Sequence, residues 1–472
     1  MHSGRRPLAL SLLAAIALTQ ASCAQKPPAT DPRTTGSISS GNSAASLSPP
    51  ATPGRPLEPV TDVESAVRRA INWHPAIREA AGKIKEQGEL IADAKSGYLP
   101  SVGGGVNLGA ENNDRGDWAP RFNLTATQMI YDFGKVSGRV EAESALEDAR
   151  KAEFLASVDD VIRETALASV EVLRAEKLAV VANDQIGDVQ AIGKLVAART
   201  DQGASTRSDK LQAEARVQSA ESRAIEIGAQ KQRWASALNA LVGATSPVQL
   251  GASMPSKLQT ACAGAAPIFE IVPAVVAAKS RKREADARVK LARAEMLPTL
   301  ALEASGEFNM WDSNEDPDYV VGLKIKGDLY NGGSFQARQN AAKYAAQSSE
   351  AAVAAALFDV QKSWNESSAQ VISLEALQKS LASRQPMMRE TRDLYQKQFL
   401  DLGTRTLLDV LNADQELHSA RFDEINTRFD LYKLNVECAY ASGRLREVFG
   451  LTPPGVSDES ANIKKVASAK PI

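Results

Sequence analysis

The chain has 472 residues, and its 55 Lys and Arg nearly balance 57 Asp and Glu, leaving a net charge of −2 at pH 7. That balance excludes the basic footprint of a nucleic-acid binder and the long acidic tail of a solvating segment. Aromatics at 5% and abundant alanine favour long, closely packed helices over a bulky globular core.

The first segment reads as a secretory signal over residues 1–24. Arg5 and Arg6 precede an apolar run from Leu8 to Leu18, and small residues follow before Cys23. That run is too short to be a retained transmembrane helix, and no later stretch is long and apolar enough. Any membrane crossing must therefore use strands. Ala21-Ser22-Cys23 has the form of a bacterial lipobox, with Gln20 where that pattern wants an apolar residue. Two outcomes stay open: acylation of Cys23, which would bury acyl chains in a membrane, or ordinary cleavage nearby, for instance after Ala24. Residues 25–60 are rich in Pro, Ser, Thr and Gly and are expected to be a disordered linker.

Order is expected from Thr61, where Thr61-Asp62-Val63-Glu64 has the form of a capping box. Val63, Ala66, Val67, Ala70 and Ile71 then form a stripe at helical spacing. Leu99-Pro100 ends this helical region, because the residue before proline is pushed out of the α region. A hairpin follows at about 100–131, with Val102, Val106 and Leu108, then Phe122, Leu124 and Ala126, alternating with polar residues. Gly134 turns the chain into a helix from Val136 to about Thr200, roughly 100 Å long. A turn at Gly203 leads into a return helix ending near Gly243, and residues 247–267 form a linker.

The same plan then recurs at an offset of about 200 residues. Pro75-Ala76-Ile77 returns as Pro273-Ala274-Val275, Leu99-Pro100-Ser101 as Leu297-Pro298-Thr299, and Tyr131-Asp132 with Gly134 as Tyr330-Asn331 with Gly333. Gly203, Asp209, Leu211 and Ala213 return with spacing intact as Gly403, Asp409, Leu411 and Ala413. Two tandem repeats, 61–246 and 268–453, are the expectation. The second holds a hairpin at about 298–330, a long helix from Ala337 to Leu402 containing Pro386, and a return helix ending near Gly450. Residues 454–472 are expected to be a disordered tail.

Both hairpins alternate with period two. Leu300, Leu302, Ala304, Gly306, Phe308 and Met310 make one face of a strand, and Tyr319, Val321, Leu323 and Ile325 one face of the next. A soluble sheet with one buried face alternates in the same way. The signal segment and the curvature permitted by Gly103, Gly104, Gly105 and Gly109 favour a transmembrane barrel wall instead.

Catalysis finds little support. Beyond the signal only His74 and His418 remain, so a histidine metal site or histidine-based triad is hard to assemble, and no metal, cofactor or enzymatic activity is expected. His74, before Pro75, reads as a polar surface residue. Gly103–Gly109 is followed by strand residues, so it is no phosphate loop. Arg115-Gly116-Asp117 is a coincidental tripeptide in a turn, and Asp312–Asp318 reads as a solvated acidic turn, with cation binding the lesser alternative. Cys262 and Cys438 lie in Ala-rich segments; they could pair in an oxidising compartment, but no staple is expected.

The richest segment runs from Gly403 to Ala413. A flexible glycine precedes Thr404 and an apolar seam at Leu407, Val410 and Leu411, and Asp409 and Asn412 share a helix face. On a single coiled coil that face is merely solvated. In a symmetric oligomer it would form rings that select solutes.

This segment, its extension Asp414-Gln415-Glu416-Leu417 and the weaker copy from Gly203 to Ala213 resemble the TolC-like outer-membrane efflux family, over a span from about Thr61 to Gly450. The resemblance implies a mainly α fold with a β-barrel part. Two tandem repeats would build a long coiled-coil tunnel, and four strands per chain would close a twelve-stranded barrel in a trimer. It implies an outer-membrane location extending into the periplasm, as the passive exit duct of type I secretion or multidrug efflux. Its implied partners are a periplasmic adaptor, an inner-membrane ABC or RND-type transporter and outer-membrane lipid, with no nucleic acid. By position, Arg405 resembles an arginine that ties the closed tip to the neighbouring helix pair, with Asp209 and Ser208 as partners. Asp409 matches an acidic ring at the periplasmic entrance, and Asn412 stands where a second ring would be acidic. Leu400 takes the place of a tip-locking tyrosine, whose hydrogen bond the adjacent Phe399 cannot make. Gly203, Gly403 and Thr404 fall in the turns used for adaptor docking. The rival reading is a non-channel periplasmic coiled-coil scaffold or adaptor, which would be water-soluble once mature.

Overall fold

The computed structural model describes residues 60–110, 118–251, 254–263, 266–309 and 318–451. The signal segment with Cys23, nearly all of the 25–60 linker, the Arg115-Gly116-Asp117 turn, most of the acidic 312–318 turn and the tail lie outside the described residues.

The elements run α1 (Val63–Trp73), α2 (Pro75–Ser96), β1 (Ser101–Ala110), β2 (Trp118–Tyr131), α3 (Lys135–Asp201), α4 (Arg207–Val242), a 3₁₀ segment (Ser256–Ala263), α5 (Pro273–Ala294), β3 (Thr299–Asn309), β4 (Asp318–Lys326), α6 (Ser334–Lys397), a π-helical turn (Gln398–Leu402), α7 (Leu407–Ala441) and α8 (Leu445–Val448). The capping box of α1 lies one residue later than its sequence suggests. Ser65 N donates to Asp62 Oδ1 at 2.7 Å and Asp62 N donates to Ser65 Oγ at 3.0 Å. The first helical region breaks at His74, which is not a bystander: its Nδ1 caps α2 by accepting from Ala76 N at 3.3 Å.

The recurring Tyr-Asp/Asn-x-Gly motif has a physical reason. Asp132 accepts from Gly134 N at 2.9 Å and Val136 N at 2.6 Å, so it satisfies orphan donors at the start of the 67-residue α3. Asn331 does the same more loosely for Phe335 N, at 3.4 Å. Gly134 and Gly333 take positive φ values of 96° and 85°, which a side chain would strain. Pro386 sits inside α6 without ending it. The second return helix stops earlier than expected: α7 ends at Ala441, Gly443 turns the chain at φ 71°, and α8 follows.

The four strands form one antiparallel sheet in the order β1-β2-β3-β4. Its register aligns the alternation across all of them. Val106 opposes Phe122, Phe122 opposes Phe308, Ala304 opposes Val321, and Leu302 opposes Leu323. One face is therefore apolar, and Val102, Val106, Leu108, Val321, Leu323 and Ile325 on it are exposed in the single chain. The other face carries Asn107, Arg121, Asn123, Glu303, Glu307 and Lys324, with ion pairs Arg121–Glu307 at 3.4 Å and Lys324–Glu303 at 2.8 Å. β1 and β4 are the sheet's two edges.

Helices α1, α2, α4, α5 and α7 pack on α3, whose buried alanines Ala142, Ala145, Ala149 and Ala152 allow close approach, and α6 packs on α5 and α7. The main core gathers α1, α3, α4, α7 and α8 around Val67, Ile162, Leu238, Leu445 and Phe449. No helix among the described residues is long and apolar enough to cross a membrane. The expectation of no staple is corrected: Cys262 and Cys438 form a disulfide across 176 residues of sequence, with Cα atoms 5.2 Å apart. Asn435 prepares it, because its Oδ1 accepts from Cys262 N at 3.1 Å and holds the 3₁₀ segment on α7.

Candidate functional site

The two long helices end in turns built to the same design. After α3, Gly203 adopts φ 73° and Ala204 N donates to Arg199 O at 2.7 Å, a left-handed helix stop. Thr206 then starts α4: Asp209 N donates to its Oγ1 at 3.1 Å, and Thr206 N donates to Asp209 Oδ2 at 2.9 Å. After the π-helical turn, Gly403 adopts φ 61° and Thr404 N donates to Gln398 O at 3.2 Å. Thr406 and Asp409 then repeat the capping box at 3.3 and 3.0 Å. The recurring Gly-x-x-Thr-x-x-Asp spacing is thus a turn-and-cap instruction.

This gives the anticipated site residues definite places. Asp409 is held by Thr406, whose backbone N–H and then hydroxyl keep its carboxyl below the usual carboxylate range, with Arg405 adding attraction. Arg405 meets neither Asp209 nor Ser208 through any described contact within the chain. Its guanidinium lies 4.2 Å from the Tyr395 ring centroid and its Nε donates to Gln398 Oε1 at 3.2 Å. Asp209 is occupied by Thr206, and Ser208 is exposed on the first turn of α4. Asn412 accepts from Arg216 Nη2 of α4 at 3.1 Å. Phe399 is buried, with the Arg199 guanidinium 5.0 Å from its ring. The sequence reading missed Tyr395, one turn before Phe399, as the aromatic partner of Arg405.

Beneath these turns an apolar cluster joins the two helix pairs: Ile192 and Val196 of α3, Ala213 of α4, Phe399, and Leu407, Val410 and Leu411 of α7. A buried polar cluster follows along the same helices. His418 Nε2 lies 3.0 Å from Asp188 Oδ2 and 3.7 Å from Asp414 Oδ1, and Arg392 Nη1 lies 3.4 and 3.8 Å from the same two oxygens. Burial pushes the Asp414 carboxyl up to about 6 against the attraction of His418. The His418 hydrogen bond, helped by Arg392 and Arg421, instead holds Asp188 low despite partial burial. Counting histidines hid this cluster, since Asp188 lies 230 residues from His418. The i, i+4 spacing of Asp414 and His418 was its one visible signal.

A family model described as outer membrane efflux protein matches residues 66–244 and 271–439. The chain belongs to the outer membrane efflux protein family. Outer membrane efflux protein BepC of Brucella suis is 23% identical over 403 residues, covering 80% of this chain and 85% of that protein. Alkaline protease secretion protein AprF of Pseudomonas aeruginosa is 26% identical over 350 residues, 69% of each chain. Among solved structures, the outer membrane protein VceC of Vibrio cholerae aligns with a TM-score of 0.70 at 19% identity, covering 81% of this chain and 96% of that one. That likeness shows a shared fold. This efflux protein is thus an outer-membrane protein extending into the periplasm, and its paired turns are the ends of its long helices.

Proposed function

We propose that this efflux protein is a homotrimer in which four strands per chain close one twelve-stranded barrel. Two tandem repeats, 61–246 and 268–453, would build the helical tunnel that continues it. The observation that carries this reading is the sheet: one face apolar and exposed, the other polar, and two edge strands without partners among the described residues. In hydrocarbon each unpaired backbone group costs several kcal/mol, so such a sheet must close with other copies. Four strands fall short of the roughly eight in the smallest membrane barrels. Exposed Tyr344, Phe358 and Ile372 on α6 give the same indication for the helices.

The duct is passive. An inner-membrane ABC or RND-type transporter supplies the energy, and a periplasmic adaptor docks at the turns of Gly203, Gly403 and Thr404. Arg405 closes the tip against Asp209 and Ser208 of a neighbouring helix pair. Asp409 lines the entrance, and Asn412 leaves the next ring neutral. The run Leu407–Asn412 after Gln398-Phe399 leans toward type I secretion, a lean that the likeness to AprF supports and the likeness to BepC balances. Light scattering on detergent-extracted outer membranes tests the assembly, with three copies per particle expected and channel conductance in planar bilayers. A water-soluble monomer would overturn it in favour of a periplasmic scaffold.

A further inference from the structure

The cluster of Asp188, Asp414 and His418 is not explained by the exit duct. Asp414 and His418 are 1% and 0% exposed, and they stand one helical turn apart on α7. Asp188 reaches them from α3, and one ligand atom from each of the three lies within 4.8 Å of the others. Neither oxygen of the buried Asp414 carboxylate has a hydrogen-bond partner, and nor does His418 Nδ1. Buried carboxylates are almost always hydrogen-bonded, and an unsatisfied one calls for a bound proton, water or ion. Arg392 balances charge without filling that need, since its Nη1 stays 3.8 Å from Asp414 Oδ1, beyond hydrogen-bond reach.

We propose that Asp188, Asp414 and His418 bind a divalent transition-metal ion of zinc's class, one per chain. An imidazole and two carboxylates form a donor set that suits zinc better than the all-oxygen preference of magnesium or calcium. Three protein ligands leave a fourth position for water. The ion's route is the polar cleft lined by Asn183, Asp184, Arg389 and Arg421, where Asp188 is partly exposed. Two changes accompany binding. His418 binds as the neutral tautomer with its proton on Nδ1, so that the Nε2 lone pair facing Asp188 is free for the metal. Arg392 swings from the two carboxylates toward Asp393, whose Oδ1 already lies 2.8 Å from its Nε. The bound ion then ties α3 to α7 about 20 Å above the Gly203 turn, taking 1.5 Å per residue from Asp188 to the end of α3. It would hold the two helix pairs together.

Tag-free protein in detergent, stripped with chelator and titrated with zinc chloride in a calorimeter, tests this. One ion per chain is expected, and cobalt substituted for zinc should show the visible absorption of a four-coordinate site. Asp188→Asn, at the partly exposed ligand, keeps the buried pair intact and should weaken binding at least ~10-fold, since even an outer-sphere partner is worth that much. Arg392→Met removes the competing cation and should tighten binding. No zinc uptake by the wild-type chain, or uptake that Asp188→Asn leaves unchanged, would overturn the assignment.

Discussion

Arg405 spends its charge on an aromatic ring and an amide, not on a carboxylate. A cation–π contact at an exposed site is worth about 0.5–1 kcal/mol, and solvent screening weakens the exposed hydrogen bond to Gln398 as well. These contacts hold the guanidinium in place at the mouth of the turn without locking it, which leaves it available to a neighbouring chain. Arg405→Ser should therefore raise single-channel conductance in planar bilayers while leaving the fold intact. Unchanged conductance would remove Arg405 from the gate. Asp409 shows why a residue's role is hard to read from its type: the carboxylate expected to line an entrance also completes the capping box that Thr406 opens at the start of α7.

Among the elements, Gly243 ends α4 at φ 61°, and a Cβ there would lie 2.3 Å from the Trp73 ring. Strain and overlap act together, so Gly243→Ala should cost about 2 kcal/mol or more, read as a lowered melting temperature by circular dichroism. A variant that melts with the wild type would show that Trp73 moves aside freely. At this scale the sequence was most legible. Period-two alternation located all four strands because the sheet has one apolar face and one polar face, and the glycines at 134, 203, 333 and 403 marked the turns because only positive φ serves there. The break at His74 was invisible, since a histidine cap depends on side-chain geometry. The early end of α7 was missed because Gly450 and Gly443 both qualify as helix stops. Spacing alone could not bring Cys262 to Cys438 or Asp188 to His418, because both pairings depend on how helices far apart in sequence dock.

For the molecule as a whole, the Cys262–Cys438 link is the longest covalent constraint described. Closing a loop of this size is worth about 5 kcal/mol on a chain-entropy argument. Asp159 is buried on α3 beside Arg446, whose Nε lies 3.2 Å away without hydrogen-bond alignment. Burial raises its carboxyl to about 7 against that attraction, with Asp160 adding to the rise. The folded chain thus keeps a proton that the unfolded chain releases near 3.8. This contribution to stability is full below that value and is lost as pH rises through about 7, by ~4 kcal/mol at most. Melting temperature should accordingly fall between about pH 4 and 7, and Asp159→Asn should flatten the fall. Equal pH slopes in both proteins would show that Asp159 is ionised throughout.

The free edges of β1 and β4 also carry a genetic consequence. In the proposed closed ring each copy would offer one edge to the copy before it and the other to the copy after, so no copy could be spared. An allele that spoils either edge would then be dominant: mixed with normal subunits it would enter most of the proposed rings, and each ring it entered would fail to seal.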